Sequence, residues 1–164
     1  MLKRLKNKQG VTLTELIVAM LVMSIIMMAV TTVFLPMYNA YVNANELAEV
    51  NTLLDNLSAI IMSEVADLTE IINEGSTFTI RTNVNGTNRY VTYFIDSNGF
   101  LRRSTTNDQS NARLVLDEGF YRNYTVDIDF RRSGDVCIVE LTLYNRGSTE
   151  GTSREYVARP IGLQ

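Results

Sequence analysis

Glu15 is the residue whose placement most needs a chemical reason. It is the only charged side chain between Val11 and Leu35, a stretch otherwise made of aliphatic, methionine, alanine and a few hydroxyl residues. A carboxylate in a lipid bilayer costs about 2.5–3.5 kcal/mol at the centre and less near the interface. A plain anchor would lose nothing by carrying leucine at that position. With no base in the stretch, the partner of Glu15 must come from elsewhere. Cutting the chain between Gly10 and Val11 would create one, because the new α-amino group of Val11 is a cation four residues away. The same amine on a neighbouring copy could also reach Glu15. Pairing between copies would set their axial stagger, since any slip strands a charge in an apolar seam.

Other residues invite chemistry less strongly. Asp96-Ser97-Asn98-Gly99 begins like a calcium loop, but Asn107 stands where the closing glutamate belongs, so a hairpin turn is expected. Asp127 and Asp129 alternate on one strand face and read as solvated. Arg102-Arg103 and Arg131-Arg132 would form a basic patch only if the fold joined them. Tyr90, Tyr93, Phe94 and Tyr124 read as core or sheet surface. Cys137 falls on an inward face and reads as a small buried hydrophobe. There is no histidine, no Ser-x-x-Lys and no glycine-rich phosphate loop. No catalytic constellation, cofactor or metal site is expected.

The elements that position Glu15 follow from charge and hydropathy. Lys3, Arg4, Lys6 and Lys8 crowd the first ten residues, which hold no acid. Val11–Leu35 is long enough to cross a bilayer core of about 30 Å at roughly 1.5 Å per residue. The basic cluster keeps the N-terminus in the cytoplasm and sends the rest across the membrane. A conventional secretory signal has a shorter apolar core; the nearest small-residue cut, at Val42-Asn43-Ala44, is the weaker alternative. All 18 acids but only 11 of the 15 bases lie beyond the first ten residues, so removing them takes the net charge from −3 to −7. A head that acidic repels phosphates, and no nucleic acid partner is expected. The single cysteine excludes a disulfide within the chain.

Pro36 removes an amide donor, so a kink or break in the helix is expected there. Beyond it Leu47, Val50, Leu54, Leu57, Ile61, Val65, Leu68 and Ile72 recur every three or four residues, predicting an amphipathic helix over 36–73 that Gly75 ends. The period then changes to two. Phe78 to Thr82, Arg89 to Ile95, Phe100 to Ser104, Tyr124 to Phe130, Cys137 to Leu143 and Glu155 to Ile161 read as strands. Asn85-Gly86, Asn98-Gly99 and Arg132-Ser133-Gly134-Asp135 read as turns. The expected class is α+β: a long N-terminal helix, its first half transmembrane and its second amphipathic, packed on an antiparallel sheet over 76–161.

Lys8-Gln9-Gly10-Val11-Thr12-Leu13-Thr14-Glu15-Leu16 resembles the prepilin cleavage motif of type IV pilins, pseudopilins and competence pseudopilins. The resemblance implies a class III leader, residues 1–10, removed by prepilin peptidase between Gly10 and Val11, with N-methylation of Val11. It implies an assembly role for Glu15 and a pilin-like head over 36–164. Other pilin or pseudopilin subunits and an assembly platform would be the partners. The subunit would wait as a single-pass protein of the cytoplasmic membrane, head outside, before entering a cell-surface filament. Val11 replaces the usual first phenylalanine, Thr14 a common aliphatic, and paired C-terminal cysteines are absent. These departures suit a minor, non-enzymatic subunit of a Gram-positive system. A pseudopilin of a secretion or competence system, or a fixed membrane-anchored binding module, are the rival readings.

Overall fold

The computed structural model describes residues 11–106, 109 and 111–162. The chain divides into two units at Glu46 and Leu47. Both share helix α1, Leu13–Ala66. In the first unit the helix is built mainly from valine, methionine, leucine, alanine and isoleucine, and every residue from Val11 to Tyr41 is exposed. Its hydroxyl side chains bond within the helix: Ser24 Oγ donates to the Leu21 carbonyl at 2.8 Å, Thr31 Oγ1 to Met27 at 3.0 Å, Thr32 Oγ1 to Ala29 at 2.9 Å. A helix whose polar groups are satisfied internally suits hydrocarbon, where no water completes them. By length and composition it is able to cross a membrane. Pro36 lies inside α1, which continues through it, so the alternative of a break is not what forms.

In the second unit, Val50, Leu53, Leu54, Leu57, Ile61 and Val65 of α1 are buried. The predicted stripe is real over this stretch, but the helix stops at Ala66, short of the expected 73. Residues Leu68–Asn73 form a strand, β1. Thr69, Ile71 and Ile72 are β-branched, which favours a strand, and β1 pairs antiparallel with β2. Leu68 stays buried in its new role, whereas Ile72 is exposed and Leu47 is too.

The strands form two antiparallel sheets where one was expected. The first is a five-stranded meander: β1, β2 Phe78–Val84, β3 Thr87–Ile95, β4 Leu101–Ser104 and β5 Arg113–Leu114. A short helix, α2 Glu118–Tyr121, follows. The second sheet holds β6 Tyr124–Ser133, β7 Val136–Asn145 and β8 Gly151–Ala158. Alternation in β6 and β7 is as expected, with Tyr124, Val126, Ile128, Phe130, Cys137, Val139, Leu141 and Leu143 buried. The last strand begins earlier than expected, at Gly151, and ends at Ala158.

What joins the sheets is local. Gly75 and Phe130 form a bridge, and Val126 N–H donates to the Gly99 carbonyl at 2.8 Å. A Cβ on Gly99 would lie 2.6 Å from Thr125 Cγ2, so only glycine permits this approach. Phe78 stacks on Tyr93 at 5.0 Å and on Phe130 at 4.6 Å, one aromatic column linking the two sheets. Asn85 and Gly86 both have positive φ, at 54° and 78°, the geometry that closes a two-residue hairpin between β2 and β3.

Candidate functional site

The start of α1 is organised by two residues three apart. Thr12 precedes the first helical residue, and its Oγ1 accepts from Glu15 N–H at 3.3 Å. Glu15 Oε2 in turn accepts from Thr12 N–H and from Thr12 Oγ1, both at 2.9 Å. This reciprocal pairing is a capping box, and it satisfies amides that a helix N-terminus otherwise leaves open. Reasoning from charge alone missed Thr12, although Thr-x-x-Glu before an apolar run is a readable signal. Glu15 Oε1 makes no hydrogen bond among the described residues. Val11 is exposed; Gly10, the other half of the expected cleavage site, and the rest of the leader lie outside the described residues.

In the head, each candidate cluster resolves into structure. Asp96 Oδ1 accepts from Asn98 N–H at 2.9 Å and Phe100 N–H at 3.1 Å, and Oδ2 accepts from Arg102 Nε at 2.6 Å. The carboxylate is a turn cap; partial burial pushes its pKa up, but these bonds together outweigh that and hold it below the ordinary carboxylate value. Asn107, which bore on a calcium reading, lies outside the described residues. Among the described residues no cluster of three or more acidic, cysteine or histidine groups is poised to hold a metal.

The two arginine pairs do not form one basic patch. Arg102 pairs with Asp96 and Arg103 with Glu64, while Arg131 meets Glu140 at 3.2 Å, Asp129 at 3.4 Å and Glu155. Asp129 is thus part of an ion network on the second sheet. Arg154 donates to Asp55 and to Asn51, each at 2.8 Å, tying β8 to α1 inside the head. Tyr93 is buried and donates to Glu64 Oε2 at 2.6 Å. Burial and the neighbouring carboxylate push its phenol well above its ordinary range. Tyr90 lies under the Arg81 guanidinium at 5.1 Å. Cys137 is a free, buried thiol, and burial pushes its pKa up, away from nucleophilic use.

Of these regions, the N-terminal one carries a match to a known family. Residues 5–31 match the family model for the prokaryotic N-terminal methylation motif. No curated protein and no solved structure matches the chain. The matched segment includes Gly10, Val11, Thr12 and Glu15 and most of the apolar stretch. It gives the chain the N-terminus of a type IV pilin-like prepilin with a class III leader, a substrate of the prepilin peptidase kind. Proteins with this motif are structural and assemble with other pilin subunits.

Proposed function

We propose that this prepilin matures into a minor, non-enzymatic subunit of a type IV pilus-like filament, in a Gram-positive system. Prepilin peptidase cuts between Gly10 and Val11, and the new amine of Val11 is methylated. Val11 to Leu35 then holds the subunit in the cytoplasmic membrane, with the head outside, until the assembly platform moves it into the filament. There the apolar helix exchanges lipid for neighbouring helices. Pro36 supplies a bend, because its missing amide removes one rung of the hydrogen-bond ladder.

Glu15 carries the reading. One of its oxygens caps its own helix through Thr12, and the other is free to take the Val11 amine of an adjacent subunit. Cleavage leaves Thr12 N–H a backbone amide, so the cap and the intersubunit pair are compatible. Capping and charge separate experimentally. Glu15→Gln keeps a capping-box side chain but loses the charge, whereas Glu15→Ala loses both. Processing should persist in each variant, and both should be excluded from sheared filaments on immunoblotting. Normal incorporation of Glu15→Gln would mean that the carboxylate only starts the helix.

A further inference from the structure

The first sheet ends in an arrangement that its fold does not use up. Register aligns Phe78 with Tyr93, Tyr93 with Arg103 and Arg103 with Arg113, so the four side chains share one face in a row across β2 to β5. Glu64 of α1 meets this row in the middle. Its Oε2 accepts from Tyr93 and its Oε1 from Arg103 Nη2, so both oxygens are taken. Two guanidinium groups therefore stand against one carboxylate. Arg103 Nη2 donates to Glu64, and its buried Nε–H has no acceptor among the described residues; Arg113 is exposed and has no hydrogen bond or ion pair among them.

Beside this excess charge lies a pocket of about 900 Å³. Ile60, Leu114 and Val115 form an apolar wall, and Thr105 and Asn111 add polar groups. Arg103, Arg113 and Glu64 line it as well. A partly walled site strengthens charge-assisted hydrogen bonds, and a guanidinium fork matches a planar carboxylate in shape. Among the described residues that line the pocket the surplus is one positive charge, which one carboxylate neutralises and a dianionic phosphate overshoots.

We propose that this pocket is a binding site for the carboxylate of a small ligand, such as an acidic sugar, seated between Arg103 and Arg113. Arg103 is fixed by Glu64 and supplies the rigid side of the clamp; Arg113, at the sheet edge, closes on the ligand. The site is independent of the N-terminal assembly device and gives the head a recognition role of its own.

The test is calorimetric titration of the full chain in detergent micelles with D-glucuronate at fixed ionic strength. Glucose serves as the neutral counterpart and inorganic phosphate as the other oxyanion. Saturable binding of glucuronate, none of glucose and weaker binding of phosphate are expected. Arg113→Gln, an exposed change that should leave the thermal midpoint in place, should weaken glucuronate by about tenfold or more. Arg103→Lys keeps a cation for Glu64 but loses the fork, and should weaken it too. Absent saturation, equal binding of glucose, tighter binding of phosphate, or unchanged affinity in Arg113→Gln would each overturn the assignment.

Discussion

A carboxylate near the start of an apolar helix can serve its own backbone or a neighbour, and Glu15 has an oxygen for each. The self-directed half depends on Thr12. Thr12→Ala should cost about 1 kcal/mol at the helix start, read as faster amide exchange in the first turn with the head unchanged. Titration behaviour in the head follows from burial. Burial pushes the phenol of Tyr121 up to about 12, and that of Tyr93 also lies above its ordinary value of 10.0. A raised folded-state pKa contributes stability that is complete below the ordinary value and lost as pH rises through the folded one. The head should therefore hold its stability up to about pH 10 and lose it progressively towards 12. Denaturant midpoints across that range should fall less steeply in Tyr121→Phe than in the parent; equal slopes would place the loss elsewhere.

At the scale of elements, legibility tracked periodicity. The helical stripe from Val50 to Val65 and the alternation of β6 and β7 were plain in the sequence, and those residues are buried where expected. The end of α1 was not, because Leu68 continues the three-and-four spacing while belonging to a strand. Burial alone satisfies either reading there, and only the long-range pairing of β1 with β2 decides between them. The stretch between β4 and β6 held no strong period, so β5 and α2 were silent, although Asp117 caps α2 by accepting from Gly119 N–H at 2.9 Å. The split into two sheets was also unreadable, since the sheets meet only through long-range contacts such as that of Gly99 with Thr125. Gly99→Ala should cost about 1–3 kcal/mol through that clash and a φ of +77°, measured as a lower denaturation midpoint with an unchanged slope.

On the scale of the whole molecule, the chain divides the work between its two units. The head holds itself together: Leu54, Leu57, Ile61 and Val65 are fully buried on α1, and the Phe78, Tyr93 and Phe130 column links the sheets. Leu57→Ala should lower the unfolding free energy of the head by about 2–5 kcal/mol, visible in chemical denaturation. The residues that carry the match to the methylation motif include Gly10, Val11 and Glu15, which charge, spacing and the resemblance to prepilins single out in the sequence. Glu15 stands out because the apolar stretch makes one carboxylate conspicuous, whereas a hydroxyl at Thr12 carries no such contrast. The central claim is that this N-terminus is processed for assembly. Intact-mass and N-terminal peptide mass spectrometry of the protein from its native membrane tests it most directly. A chain beginning at Val11 with a methylated amine is the predicted result, and a mature protein that keeps Met1 to Gly10 would contradict it.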